Sequence, residues 1–219
     1  MTQPKSFQLS TEVHAYLVAH GTPPDAVQQA LIEETAALGP IARMQIAPEQ
    51  GAFLTVLAQI VGVTTAVEVG TFTGYSSLCI ARGLADGGRL LCCDVSTEWT
   101  DIARRHWDAA GVSDRIDLRI APALETLQSL PSEPHIDLAF VDADKPGYVA
   151  YVDELVPRLR PGGVLLIDNV LWSGAVADPS VTDADTEAIR RCNDHVVADD
   201  RLDVVMLPIA DGLTVARRH

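Results

Sequence analysis

The segment "FVDADKPGY", residues 140–148, sets Asp142, Asp144 and Lys145 directly behind an apolar run. A later apolar run finishes similarly in "LLIDN", on Asp168 and Asn169. Carboxylates and amide oxygens are hard donors suited to Mg²⁺ or a similar cation. No histidine or cysteine lies inside these two motifs, so the pattern fits an all-oxygen site better than zinc. Two more acids close apolar runs, Glu68 in "AVEVG" and Asp94 in "LLCCDV". Four carboxylates on one rim would raise one another's pKa and call for bound positive charge. A single strand-ending aspartate, taken alone, reads better as a turn former or helix cap.

The glycine loop "VEVGTFTGYSS" bears on the second positive charge. Gly70 and Gly74 fall in a strand-to-helix turn, where a missing side chain lets a ligand approach the backbone, but the spacing is not GxGxxG. Glu68 would repel a pyrophosphate. S-adenosylmethionine, with a sulfonium and an ammonium against one carboxylate, suits an acid-lined edge better than NAD. Asp94 follows Gly70 at about the separation from which an acid on the second strand bonds ribose hydroxyls. Close packing of helix on sheet would account for the same glycines.

These residues need strands to carry them. Residues 11–61 are helical in pattern: "TEVHAYLVA", "PDAVQQALIEETAAL" and "PEQGAFLTVLAQIVG", the last with Phe53, Leu54, Leu57, Ile60 and Val61 on one face and with Pro24 and Pro48 suited to first turns. From residue 65, "TAVEV", "RLLCCD", "RIDLRI", "IDLAFVD" and "GVLLID" alternate with helical segments, which predicts a parallel sheet. Thr97 is a candidate cap and Gly111 a stop for the helix after "RLLCCD", and Tyr148, Val152, Leu155 and Leu159 share a helical face. "DVVMLPI" and "LTVARR", joined at Asp211-Gly212, predict an antiparallel pair. If "IDLAFVD" and "GVLLID" are neighbours joined by a right-handed crossover, Asp142 and Asp168 lie side by side, about 4.8 Å between strands.

Composition bounds the alternatives. At 219 residues, 47% hydrophobic and 21% charged, the chain suits one globular domain, 1–219, with residues 1–47 as a helical N-terminal extension. A net charge of −14 disfavours nucleic acid or an anionic membrane as partner. The N-terminus lacks a signal pattern and no run reaches spanning length, so a cytoplasmic protein is expected. Cys79, Cys92, Cys93 and Cys192 show no CxxC spacing and read as reduced interior thiols.

In order, "MQIAPEQGAFL", "VEVGTFTGYSS", "VDADK", "RPGGVLLIDNVLWSG" and "LPIADGLTVAR" resemble the cation-dependent O-methyltransferases, the group of catechol and caffeoyl-coenzyme A O-methyltransferases. The resemblance spans roughly residues 40–216. It implies an α/β class I methyltransferase fold: a doubly wound, mostly parallel seven-stranded Rossmann-like sheet with N-terminal helices and an antiparallel C-terminal hairpin. It implies S-adenosylmethionine as cofactor, Mg²⁺ or another divalent cation such as Mn²⁺ or Ca²⁺, and a homodimer. By the same resemblance, Ile46, Glu68, Gly70, Ser76, Asp94 and Ala123 contact the cofactor. Tyr75 and Asp142 are counted with them, although the Tyr75 ring is expected to pack, as are Tyr148, Trp99 and Trp107.

Asp142, Asp168 and Asn169 match the metal ligands, and Lys145, with Asp142, matches the catalytic pair in which the lysine is the general base. Trp172, Lys145 and Asp144 fall at the acceptor. Two departures lie near ligands: Ala121 replaces a usual glycine, and Pro146-Gly147 replaces a polar pair after the lysine. The expected reaction is methyl transfer to a hydroxyl of a small vicinal aromatic diol. A nicotinamide-dependent oxidoreductase and a non-catalytic cofactor- or metal-binding module are the rival classes.

Overall fold

The computed structural model describes residues 9–219; residues 1–8 of the segment read as an extension lie outside the described residues. Helix α1 (Thr11–Ala19) starts at Ser10, whose Oγ accepts from the Val13 amide. Helix α2 (Ala26–Ala36) starts at a capping box in which Asp25 accepts from the Val27 and Gln28 amides and Gln28 reaches back to the Asp25 amide. Pro24 therefore precedes the cap instead of occupying the first turn. Helix α3 (Pro48–Val61) does begin on its proline and stops at Gly62, whose φ of 68° is left-handed.

The expected apolar stripe of α3 needs one correction. Gln50, Gly51, Leu54 and Ala58 form its buried face, while Ile60 is 76% exposed. Ile60 lies six residues beyond Leu54, which at 3.6 residues per turn carries it well off that face.

The remainder alternates: β1 (Thr65–Val69), α4 (Tyr75–Gly83), β2 (Arg89–Asp94), α5 (Thr97–Ala109), β3 (Ile116–Ile120), α6 (Ala123–Gln128), β4 (Ile136–Val141), α7 (Tyr148–Arg158), β5 (Leu159–Asp168), α8 (Ala184–Val197), β6 (Leu202–Leu207) and β7 (Leu213–Arg218). The sheet order is β3-β2-β1-β4-β5-β7-β6, with β7 antiparallel to both neighbours. Strand order reverses between β1 and β4, the place where open α/β sheets leave a crevice. Two boundaries differ from expectation. Ser96, not Thr97, caps α5. Strand β5 begins at Leu159, ahead of a register irregularity opposite Ile136–Leu138.

The period of two in β1 and β4 divides the core. Ala66, Leu138 and Phe140 pack on one face of the sheet with Leu54 and Leu78; Val67, Val69, Ala139 and Val141 pack on the other with Val152 and Leu155. Phe140 is fully buried, and its truncation to alanine would cost about 3–5 kcal/mol. All four cysteines are free and buried, as the spacing predicts. Among the described residues no helix is long and apolar enough to cross a membrane.

Candidate active site

A cavity of about 1390 Å³ opens at the carboxyl ends of β1, β2, β4 and β5. At one end it is lined by Ile46, Gly70, Tyr75, Ser76, Asp94 and Ala123; at the other by Asp142, Asp144, Lys145, Asp168, Asn169 and Trp172. Every site residue expected from sequence is there except Glu68. That residue pairs with Phe140, two positions before Asp142, so it lies inside the sheet and is wholly buried. Three carboxylates, not four, reach the rim. Neither carboxylate oxygen of Glu68 has a hydrogen-bond partner among the described residues. Burial pushes its pKa up to about 7, and the neighbouring Ser76 hydroxyl offsets only part of that.

The glycine loop is built by packing. Gly70 has φ 91°, and a Cβ there would stand 2.0 Å from the carbonyl oxygen of Asp142. A Cβ on Gly74 would strike Ala103 and the Trp107 indole, whose Nε1 donates to the Gly74 carbonyl at 3.1 Å. Gly70 lines the cavity, but the neighbouring strand end is what forbids a side chain. Asp94 holds the same loop from below: Oδ2 accepts from the amides of Thr71 (2.9 Å) and Phe72 (2.8 Å), and Oδ1 from Ser96 (2.8 Å). Phe72 meets Trp99 edge-on, with ring centroids 5.1 Å apart, and both rings line the cavity. Trp99 thus faces the site, contrary to its reading as a packing residue, because the Ser96 cap turns the first residues of α5 toward it; Trp107, two turns later, is in the core.

Asp142 and Asp168 follow the paired residues Val141 and Ile167, so their side chains share the cavity floor. Asn169 has φ 59°, a left-handed conformation asparagine tolerates. Its backbone N–H donates to Asp168 Oδ1 at 2.8 Å. Lys145 Nζ donates to Asp142 Oδ1 (3.1 Å), Asn169 Oδ1 (2.7 Å) and the Tyr148 hydroxyl (2.6 Å), and lies 5.6 Å from the Trp172 ring centroid. Burial raises the pKa of Asp142, with Lys145 opposing the shift. Asp168 is pushed up to about 7, first by burial and then by the charge of Asp142.

Among the described residues no group of three His, Cys, Asp or Glu side chains is arranged for a metal ion. The donor set here is two carboxylates and an amide oxygen. Two members already share one ammonium and both carboxylates are disfavoured as anions by burial, so the set fits a hard divalent cation.

Asp144 lines the cavity, but its oxygens are engaged, Oδ1 by the Tyr151 hydroxyl (2.6 Å) and Oδ2 by the Gly147 amide (3.1 Å). Gly147 makes this possible, since a Cβ there would stand 2.6 Å from the Tyr151 ring. Tyr75 is buried, as expected of a packing ring. Sequence reasoning missed two polar residues. Tyr148, on the face read as apolar, turns its hydroxyl to Lys145 one helical turn before it. Gln50 is 1% exposed, lines the cavity, and leaves Nε2 without a partner among the described residues. A polar residue on the buried stripe of α3 was the available signal.

This sheet order, with its antiparallel last strand and its cavity across the β1/β4 reversal, is the class I methyltransferase fold. The chain belongs to the O-methyltransferase family, whose model matches residues 20–219, and is an S-adenosylmethionine-dependent O-methyltransferase. It is 39% identical over 215 residues to the Dictyostelium discoideum protein named "Probable caffeoyl-CoA O-methyltransferase 1", covering 96% of this chain and 94% of that one. It is 33% identical to the solved O-methyltransferase of Bacillus cereus in complex with SAH, with a TM-score of 0.86 over 95% of this chain and 98% of that one. The Streptomyces achromogenes O-methyltransferase TomG, in complex with SAM, superposes with a TM-score of 0.86 at 27% identity, covering 94% and 96%. Family membership sets aside the oxidoreductase and non-catalytic readings.

Proposed function

We propose that the chain methylates one hydroxyl of a vicinal dihydroxy aromatic acceptor, with a divalent cation held by Asp142, Asp168 and Asn169. The convergence of Asp142 and Asn169 on the Lys145 ammonium at the cavity floor carries this reading. The cofactor end, with Ile46, Gly70, Tyr75, Ser76, Asp94 and Ala123, is assigned to S-adenosylmethionine, and Glu68 beneath it supplies negative charge toward the cofactor's ammonium. S-adenosylmethionine supplies, when bound, a methyl group on a positively charged sulfur leaving group. A divalent cation, Mg²⁺, Mn²⁺ or Ca²⁺, supplies positive charge that brings a phenol pKa down from about 10.

The chain's own residues align and exclude water. Lys145 takes up the phenol proton at Nζ as a neutral amine, after its ammonium has given one proton to solvent, with Asp142 orienting it. Trp172 and Trp99 wall the cavity with flat apolar surface suited to an aromatic ring. Asp94 fixes the loop carrying Phe72, which forms part of the cavity wall. Asp144, engaged by Tyr151, contributes shape at the acceptor. Helix α1 buries none of its residues and exposes Val13, Tyr16, Leu17 and Val18, which supports a homodimer formed through this helix.

The test is a panel of vicinal diphenols incubated with methyl-labelled cofactor, with and without a chelator. Transfer that requires the free cation and both hydroxyls is expected; transfer indifferent to chelation would overturn the metal role.

A further inference from the structure

Lys145 has three N–H bonds and three acceptors: Asp142 Oδ1, Asn169 Oδ1 and the Tyr148 hydroxyl. Two of these acceptors are oxygens assigned above to a divalent cation. A cation there competes for the same lone pairs and repels the ammonium, so both bonds are lost or weakened together. The Tyr148 hydroxyl is the third acceptor. Its own hydrogen is directed to the backbone carbonyl of Asp168 at 3.2 Å, which leaves its lone pairs facing Nζ at 2.6 Å. The ring is fully buried on α7 among Val152 and Leu155, so the hydroxyl is fixed in place. Among the described residues no other neighbour offers an equivalent. The Asp144 carboxylate is occupied by Tyr151 and the Gly147 amide, and Trp172 presents only a ring face.

We propose that Tyr148 is a positioning residue that retains Lys145 at the reacting centre when Asp142 and Asn169 turn to a divalent cation. The inference rests on the reading that these oxygens bind such a cation. Without the hydroxyl, cation entry strands a buried ammonium with no hydrogen-bond partner. The binding equilibrium itself then carries the penalty, before any methyl transfer.

The experiment is calorimetric titration of Mg²⁺ into the full chain as wild type, Tyr148→Phe, Lys145→Met and the double variant, with affinity for S-adenosylhomocysteine as the check on folding. Tyr148→Phe is expected to weaken Mg²⁺ about tenfold, the scale of one hydrogen bond to a charged group. In the Lys145→Met background the same change is expected to shift Mg²⁺ affinity by no more than about twofold, because nothing remains to be held. Turnover in Tyr148→Phe should fall with the acceptor KM unchanged. An undiminished Mg²⁺ affinity in Tyr148→Phe, or an equal loss in both backgrounds, overturns the inference. A wild-type chain that binds no divalent cation overturns the underlying reading and the inference with it, and does so before any variant is compared.

Discussion

Asp142 and Asp168 stand side by side one residue beyond the Val141–Ile167 pair, each raised in pKa by burial, Asp168 further by the charge of its neighbour. With Asp168 at about 7, a proton competes with a cation for that carboxylate below neutrality. Affinity for Mg²⁺ should rise as pH increases through 7, by up to about tenfold per unit for each proton displaced. Titrations in buffers of differing ionisation enthalpy would count the protons released. A flat profile from pH 6 to 8 would contradict the assignment.

Glu68 gives a pH dependence of opposite use. Its pKa is 4.5 in the unfolded reference and about 7 when folded, so the folded chain binds the extra proton between these values. Stability of the cofactor-free chain therefore falls as pH rises from about 4.5 to 7 and stays low above. The ceiling on that loss is about 3 kcal/mol. Glu68→Gln should melt higher than wild type at pH 8 and match it near pH 5, while binding S-adenosylhomocysteine more weakly. Parallel melting curves across pH would exclude a buried, titrating Glu68.

Gly70→Ala meets two penalties at once, a left-handed φ and a Cβ 2.0 Å from the Asp142 carbonyl. A loss of more than about 2 kcal/mol is expected, together with weakened Mg²⁺ binding as the start of the Asp142 loop is pushed aside. Chemical denaturation and calorimetry report the two effects separately.

Asp94→Ala removes the acceptor for three backbone amides. Leaving those donors unpaired should cost about 2–3 kcal/mol and lower affinity for S-adenosylhomocysteine by more than tenfold. Asp94→Asn, which keeps one acceptor oxygen, should fall between the two. Equal affinity in all three would show that the loop holds its shape unaided.

Much of this is legible in the amino-acid sequence, because the signals are local. Strands β1, β2 and β7 fall on the predicted residues, and the crossover rule alone set Asp142 beside Asp168. What stayed hidden depends on register or on side-chain direction. Glu68 ends on the same kind of motif as Asp142, yet stands two residues deeper in its pairing, which no spacing within "AVEVG" reveals. Tyr148 shares the apolar periodicity of α7, and only the placement of Lys145 shows where its hydroxyl points. Gly70 offered two explanations, and the approach of a neighbouring strand end, distant in sequence, chose between them.

The homodimer reading predicts that Val13→Glu with Leu17→Glu yields a monomer with cofactor affinity intact, since neither residue touches the cavity. Light scattering after size exclusion would measure it; an unchanged mass would move the contact elsewhere.

The buried cysteines have a practical corollary. Cys79 packs on one side of the sheet and Cys192 on the other, and burial pushes both thiols up to about 12. At neutral pH almost no thiolate exists on either, so an alkylating reagent reaches them only when their layer opens. Each sulfur is thus a stopwatch for the breathing of its own half of the molecule, and a bound cofactor should slow the two clocks unequally.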